Sequence, residues 1–304
     1  INALAGVLPE FVGGSADLSG SNSTVIENTI GFQQGSYFGR MINYGVREHA
    51  MGAINNGLNQ HGGLISFAAT FFVFSDYLRP VLRISALSDT GSIWVFTHDS
   101  IMVGEDGPTH QPVEHLAAVR AIPNLVTLRP ADANEVSEAW KIAIERRNAP
   151  TLLALTRQNV PVFDREKFAS ANGLEKGAYV MADLGPGPVQ LVLMATGSEV
   201  ELIVKAAETL AADGVSVRVI SMPSWELFEM QPKEYQDEVL LPEVEARLGV
   251  EAGVSMGWHK WVGTEGKLIN IDRFGASAPS GILAKELGLT VENVLQKCRE
   301  LLAK

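Results

Sequence analysis

Three of the six histidines lie in one stretch, Trp94 to His115. An apolar run from Ile93 to Thr97 predicts a strand there. A loop punctuated by Gly and Pro follows and carries a series of polar side chains: His98, Asp99, Glu105, Asp106, Thr109, His110 and Gln111. Such side chains at the carboxyl end of a buried strand are what a polar-substrate site in an open α/β sheet requires. A solvated loop has the same composition, so composition alone leaves both interpretations open.

Two further groups near the start of the chain could carry chemistry. Gly13-Gly14-Ser15-Ala16-Asp17-Leu18 leads to Ser21, and its glycines let the backbone approach a ligand closely. A turn capped by Asp17 is the alternative. Glu48 stands near the start of a helix predicted over Gly45 to His61, where a carboxylate is usually a surface residue favoured by the helix dipole.

Two more groups follow the next strands. Phe71, Phe74 and Tyr77 recur every three residues along a helix predicted over Thr70 to Leu87, a pattern typical of a core ridge. Arg157 follows a strand predicted over Thr151 to Leu155, where an arginine is usually a solvated strand-end residue. Alone, neither group indicates a site.

The central loop resembles that of transketolases, thiamine-diphosphate enzymes that move two-carbon ketol units between sugar phosphates. The resemblance rests on GEDGPTHQPVEH, preceded by THDSI. Thiamine enzymes in general share only the core from Asp106 to Gln111, whereas the flanking His98-Asp99-Ser100 and Pro112-Val113-Glu114 indicate transketolase. The G-G-S-A-D-L, T-F-x-x-F-x-x-Y and T-R-Q-N elements are similar to that family too.

The resemblance implies a cofactor site for thiamine diphosphate. Glu48 would be catalytic, sharing a proton with the aminopyrimidine ring so that the ring's imino form deprotonates the thiazolium carbon. Such a carboxyl works away from water, so we expect Glu48 to be buried. The other cofactor contacts that the resemblance implies are Asp17, Leu18, Phe71, Phe74 and Tyr77, with the aromatic rings as a stacking platform.

The resemblance also implies a sugar-phosphate site. Ser21, His98 and Arg157 would contact the phosphate, and the planar guanidinium of Arg157 suits that role. Asp106 and His110 would bind the sugar hydroxyls, and His110 would also take part in catalysis. His115 has no such counterpart, and we expect it on a helix surface.

Composition and patterning predict the architecture. A length of 304 residues, with 46% hydrophobic and 19% charged residues, predicts about two well-cored domains. Strands alternating with helices predict an α/β fold of two three-layer domains. We expect a pyrimidine-binding domain with a mostly parallel sheet at 1–162, a linker rich in Gly and Pro at 163–188, and a transketolase C-terminal-type domain at 189–304.

Composition also bounds the partners. The net charge of −11 argues against nucleic acid, and no apolar run reaches the roughly 18 residues of a membrane helix. The single cysteine, Cys298, is expected to pack in the core and suits a reducing cytoplasm. Metal-ligand spacings such as C-x-x-C or H-E-x-x-H are absent from the sequence.

The resemblance leaves the diphosphate half of the cofactor without a binding motif. Transketolases hold the diphosphate and Mg²⁺ through a G-D-G…N motif in an N-terminal domain, and this sequence has no such motif. The chain opens at Ile1 without a methionine. We therefore expect a fragment or a split subunit, inactive alone and supplying the pyrimidine half of a site shared with a diphosphate-binding domain or subunit, and a homodimer.

Two alternatives remain open from the sequence. The chain could be a non-catalytic module that dimerises without retaining cofactor. It could also be the beta-type subunit of a 2-oxo-acid dehydrogenase or a deoxyxylulose-phosphate synthase, although His98-Asp99-Ser100 and Arg157 disfavour this reading.

Overall fold

The computed structural model describes residues 1–303. The first domain contains a six-stranded, fully parallel sheet with strand order β2-β1-β3-β4-β6-β5. Its strands are β1 (Phe11–Ser15), β2 (Met41–Asn43), β3 (Ile65–Phe71), β4 (Ile93–Thr97), β5 (Val126–Leu128) and β6 (Thr151–Leu155). Its α-helices are α1 (Asn2–Val7), α2 (Glu48–His61), α3 (Arg79–Leu87), α4 (His115–Arg120) and α5 (Ala133–Glu145).

Helices cover both faces of this sheet, which explains why its central strands β3, β4 and β6 are almost entirely buried. All five residues of β4 are buried. Trp94 and Phe96 join the core on one face, while Ile93 and Val95 join the core on the other. The side chain of Asp132 caps α5 by accepting a hydrogen bond from the Glu135 amide at 2.8 Å, as its place before the helix predicts.

The second domain contains a five-stranded mixed sheet with strand order β11-β10-β8-β9-β7. Its strands are β7 (Tyr179–Leu184), β8 (Leu191–Ala195), β9 (Val217–Ser221), β10 (Arg247–Val250) and β11 (Lys267–Ile269), of which only β7 is antiparallel to its neighbour. Its α-helices are α6 (Val200–Ala212), α7 (Trp225–Glu229), α8 (Lys233–Leu240), α9 (His259–Val262), α10 (Ser280–Glu286) and α11 (Val291–Leu302). Cys298 lies fully buried in its core, as expected.

Three predicted elements differ in the structure. The helix predicted over Thr70 to Leu87 is wrong in its first half, because β3 continues to Phe71 and a 3₁₀ helix, Phe72–Tyr77, precedes α3. The helix predicted from Gly45 begins at Glu48, since Gly45 has a positive φ of 69°. The passage 163–188 is more ordered than a linker: it contains a 3₁₀ helix, Ala171–Lys176, and β7, which pairs with β9.

The two domains share buried polar and apolar contacts. The guanidinium of Arg129, in the first domain, is fully buried; it donates to Asp99 at 2.8 Å and forms an ion pair with Glu199 of the second domain. Arg120 donates two hydrogen bonds, at 2.8 and 2.7 Å, to Glu251. Ion pairs so deeply removed from water require close geometry, and they fix how the domains meet. Among residues 1–303, no helix combines the length and apolarity needed to cross a membrane.

Candidate functional site

The candidate site residues lie where neighbouring strands end. Because β1, β3, β4 and β6 are adjacent and parallel, the residues that follow them emerge at one edge of the sheet. The residues that follow these strands include most of the predicted site, namely Asp17 and Leu18 after β1, Phe74 and Tyr77 after β3, His98 after β4, and Arg157 after β6. Topology thus brings together positions that are far apart in the chain.

A pocket of about 490 Å³ opens at this edge. Its lining contains all six residues predicted to contact the cofactor, together with one predicted substrate ligand: Asp17, Leu18, Glu48, Phe71, Phe74, Tyr77 and His110. Ala16 and Val46 complete the wall. The pocket therefore combines aromatic faces with a carboxyl group, a chemistry that suits a flat, polar heteroaromatic ring.

Glu48 is the first residue of α2 and is only 9% exposed. The expectation that it is buried is confirmed. Its side chain also lines the pocket, so its carboxyl group is within reach of a ligand bound there.

Three aromatic rings form one side of this pocket. The rings of Phe71 and Phe74 have centroids 6.0 Å apart at 12°, and those of Phe74 and Tyr77 have centroids 6.1 Å apart at 37°. The 3₁₀ helix explains the spacing, because its three-residue turn places every third side chain on the same face. Tyr77 remains 64% exposed, whereas Phe71 is buried, so the platform runs from the protein interior to the surface.

A second cavity, of about 560 Å³, collects the three residues predicted to contact phosphate: Ser21, His98 and Arg157. A buried chain of hydrogen bonds leads to His98. The Ser15 hydroxyl donates to Oδ1 of Asn22 at 2.6 Å, and Nδ2 of Asn22 donates to the Thr97 hydroxyl at 2.6 Å. That hydroxyl lies 2.9 Å from Nδ1 of His98. Asn22 also lines this cavity and was not predicted as a site residue, although it directly follows Ser21.

His98 is distinguished by its backbone conformation, by the stacking of its ring and by its lowered pKa. Its backbone φ is +61°, and its ring stacks on Phe71 with centroids 3.7 Å apart. Burial lowers the pKa of His98, and the positive charge of Arg157 lowers it further, against the opposing charges of Asp106 and Asp99. The lowered pKa favours the neutral imidazole, whose two ring nitrogens can donate and accept hydrogen bonds.

Of the two predicted sugar-binding residues on the central loop, His110 lines the first pocket and Asp106 does not. His110 is half-buried, its ring meets Phe74 edge-on with centroids 5.5 Å apart, and its Nδ1 lies 2.9 Å from the Thr109 hydroxyl. Asp106 is exposed and lines neither pocket. It is close enough to His98 for its charge to influence the pKa of that ring.

The expectation for His115 is wrong. Its side chain is buried at the start of α4, not on a helix surface, and its ring packs against Phe72 with centroids 5.8 Å apart. Its Nε2 lies 3.3 Å from a carboxylate oxygen of Asp76, and its Nδ1 lies 3.7 Å from one of Glu114. Sequence spacing did not reveal this group, because Asp76 and His115 belong to different elements.

Comparisons with known proteins agree with this geometry. Residues 1–162 match the family model "Transketolase, pyrimidine binding domain", and residues 177–290 match "Transketolase-like TK C-terminal domain". The chain is 55% identical to the transketolase of Geobacillus stearothermophilus over 304 residues, which is 100% of this chain and 46% of that protein.

Solved structures show the same relationship. The transketolase of Leishmania mexicana superimposes with a TM-score of 0.93 at 45% identity, covering 99% of this chain and 44% of that one. A Pichia stipitis transketolase in complex with xylulose 5-phosphate superimposes with a TM-score of 0.90 at 42% identity, covering 97% of this chain and 43% of that one. The chain thus spans about half the length of the relatives that it matches.

The two α/β domains, one with a parallel sheet and one with a mixed sheet, superimpose on part of the transketolases that this chain matches. The chain belongs to the transketolase family.

Proposed function

We propose that this chain supplies the pyrimidine half of a transketolase active site. The complete enzyme would transfer a two-carbon ketol unit from a ketose phosphate, such as xylulose 5-phosphate, to an aldose phosphate. The observation that carries this proposal is the pocket in which Glu48 faces the same space as the platform of Phe71, Phe74 and Tyr77. Aromatic faces and a buried carboxyl group together fit the aminopyrimidine ring of thiamine diphosphate.

Each part of the pocket has a role in this proposal. The rings of Phe71 and Phe74 stack on the aminopyrimidine, and Glu48 holds or gives up the proton at one of its ring nitrogens. Asp17 and Leu18 line the same pocket and provide further contacts to the ring. When bound, thiamine diphosphate supplies the nucleophilic thiazolium carbon that the protein itself lacks.

The second cavity fits the substrate's phosphate group. Arg157 provides the charge and the planar donor fork, while Ser21 and the neutral His98 provide further hydrogen bonds. His110 and Asp106 bind the sugar hydroxyls nearer the cofactor pocket, and His110 takes part in catalysis there. The Pichia stipitis transketolase, which shares this fold at 42% identity, binds xylulose 5-phosphate, and this supports a sugar phosphate as the substrate class.

The diphosphate and Mg²⁺ would be held by a diphosphate-binding domain or subunit outside this chain. A homodimer would bring two such sites together. Several large apolar side chains of the first domain are exposed and offer surface for these contacts: Ile30, Phe32, Tyr37, Phe38 and Val46. We expect the isolated chain to self-associate as its concentration rises, as measured by sedimentation velocity; a strictly monomeric species at high concentration would contradict this.

The test combines the chain with a complementary diphosphate-binding half and assays ketol transfer. We expect turnover with xylulose 5-phosphate as donor and none after Glu48→Gln, which keeps the size of the side chain but cannot relay the proton. Circular dichroism of the variant should match that of the unchanged protein. Near-normal activity of the variant would refute the proton relay, and a preference for pyruvate as donor would favour a deoxyxylulose-phosphate synthase or 2-oxo-acid dehydrogenase.

Calorimetric titration of thiamine diphosphate and Mg²⁺ into the chain alone completes the test. The expected result is no tight binding, because the pyrimidine pocket offers no site for the diphosphate. Tight binding together with turnover by the chain alone would show that the diphosphate is held within these residues.

A further inference from the structure

Within the described residues 1–303, the second domain contributes no side chain to either pocket of the candidate site. All residues lining the two cavities at the sheet edge belong to residues 16–157, within the first domain. The second domain nevertheless touches the loop that carries Asp106 and His110, and it does so at several points.

Both ends of this loop are anchored in the core of the second domain. Ile101, just before the loop, is fully buried, and Val113, just after it, is 4% exposed. Both belong to the hydrophobic cluster that contains Ala252, Ile271 and Leu283 of the second domain. The Val254 amide also donates to the Val113 carbonyl at 3.1 Å. Both ends of the loop are therefore held in place by the core of the second domain.

Gln111 ties the loop to the second domain. Its side chain is 2% exposed, and its Nε2 donates to the Gly104 carbonyl at 2.7 Å and to the Ala276 carbonyl at 2.9 Å. A side-chain amide has two N–H donors, and here each is used by a carbonyl of a different domain. The side chain of Gln111 therefore links the end of the loop both to its start at Gly104 and to the segment 272–279 of the second domain.

The segment 272–279 packs closely against the loop around this contact. A Cβ at Gly275 would overlap Oε1 of Gln111, so only glycine leaves room for the amide there. Ser277 donates its hydroxyl to the Glu105 carbonyl, next to Asp106. A Cβ at Gly107 would lie 3.2 Å from the Cβ of Ser277, which shows how closely the two segments pack.

We propose that Gln111 is a positioning residue and that the second domain acts on the reaction by fixing the 104–111 loop through Gln111 and Gly275. This proposal rests on the proposed function, in which Asp106 and His110 bind the sugar hydroxyls. Small displacements of groups that orient a substrate reduce rates steeply, so a loop fixed from outside the pocket governs catalysis without touching the substrate.

The first experiment measures the loop itself in the isolated chain and needs no activity. The amides of Gly107 and His110 form hydrogen bonds inside the loop, so their hydrogen exchange reports its opening. We expect faster exchange in Gln111→Ala and in Gln111→Met, which keeps the volume of the side chain but removes both donors. The control is Ser221→Ala, which removes a different interdomain hydrogen bond, to Glu135 at 2.6 Å, and should leave this exchange unchanged.

A second measurement tests whether the effects of substitutions at Gly275 and Gln111 on the melting temperature depend on each other. Gly275→Ala should lower the melting temperature of the chain, and this loss should largely disappear in the Gln111→Ala background, where the added methyl group has room. If the melting-temperature losses of the two single variants simply add in the double variant, Gly275 does not make room for the Gln111 side chain. Unchanged exchange of Gly107 and His110 in both Gln111 variants would likewise overturn the proposal.

The third measurement uses the enzyme completed by its diphosphate-binding half. We expect Gln111→Met to raise the KM for xylulose 5-phosphate by roughly tenfold or more while the melting temperature remains comparable to that of the Ser221→Ala control. A loosened loop with an unchanged KM would overturn the link to catalysis. If the unmodified enzyme shows no ketol transfer while the exchange results hold, the proposed function fails and the structural role of Gln111 stands.

Discussion

At the scale of single residues, the site separates charge from hydrogen bonding. Arg157 is exposed just after β6 and lines the second cavity, whereas His98 is buried and its pKa is lowered. In the proposed function, Arg157 would balance the negative charge of a bound phosphate group, while His98 and Ser21 would set its orientation. The two kinds of contact therefore differ in how their loss should affect the enzyme.

Replacement of Arg157 by alanine tests this division. We expect Arg157→Ala to weaken the completed enzyme's use of phosphorylated sugars far more than its use of unphosphorylated ones, because only the former lose a charge partner. The measurement is kcat/KM for a matched pair of donors with and without the phosphate. Arg83→Ala, which removes an exposed arginine from α3, is the control for net charge. An equal loss for both donors would mean that Arg157 does not bind phosphate.

At the scale of elements, the 3₁₀ helix Phe72–Tyr77 divides its aromatic residues between two tasks. Phe72 is fully buried, stacks on Phe96 and belongs to the core, whereas Phe74 lines the pocket of about 490 Å³ together with Phe71 and Tyr77. One short helix therefore packs against the sheet with one face and builds the aromatic platform with the other.

Alanine substitutions should separate these tasks. Phe72→Ala should lower the free energy of unfolding by about 3–5 kcal/mol, the usual loss for a buried aromatic side chain. Phe74→Ala should cost less stability but weaken the completed enzyme's affinity for thiamine diphosphate, because the ring loses its stacking partner. Urea unfolding and cofactor titration measure the two effects. Similar losses of stability in both variants, with unchanged cofactor affinity, would contradict the division.

The sequence predicted most elements but not this one. β4 and β6 were predicted to the residue, since short apolar runs bounded by polar residues are typical of buried parallel strands. The recurrence of Phe71, Phe74 and Tyr77 was interpreted as an α-helical ridge, although a period of three residues is that of a 3₁₀ helix. β7 was assigned to a linker because it lies among glycines and prolines and only pairing with β9 reveals its role.

At the scale of the whole molecule, contacts between the domains were not predictable from sequence patterns. Gln111 and Ala276 are 165 residues apart, and nothing local to either residue predicts their hydrogen bond. The same is true of Arg120 and Glu251, which lie in separate domains. The residues predicted from the resemblance to transketolases line the two pockets, with the exception of Asp106, whereas the contacts that hold those pockets in place came only from the fold.

Glu251 makes the joint between the domains sensitive to acid. Burial would raise the pKa of this carboxyl, but the charges of Arg120 and Arg129 and the hydrogen bond from Thr196 outweigh burial and lower the pKa from 4.5 to about 2. A carboxyl group whose pKa is lower in the folded state than in the unfolded state stabilises the fold at any pH above its unfolded-state pKa. This contribution is lost as the pH falls through the folded-state pKa. The contribution of Glu251 is therefore complete above pH 4.5 and disappears toward pH 2.

The size of this contribution can be measured by replacing Glu251 with glutamine. A shift from 4.5 to about 2 corresponds to about 3 kcal/mol, since one pKa unit is worth about 1.4 kcal/mol. Glu251→Gln lowers stability at neutral pH, because Arg120 loses its charge partner, and we expect its free energy of unfolding to fall less steeply than that of the unchanged chain between pH 4.5 and 2. Glu234→Gln, on an exposed turn of α8, should keep the steep dependence. If the Glu251 variant shows the same dependence as the unchanged chain, the acid sensitivity arises elsewhere than at the joint between the two domains.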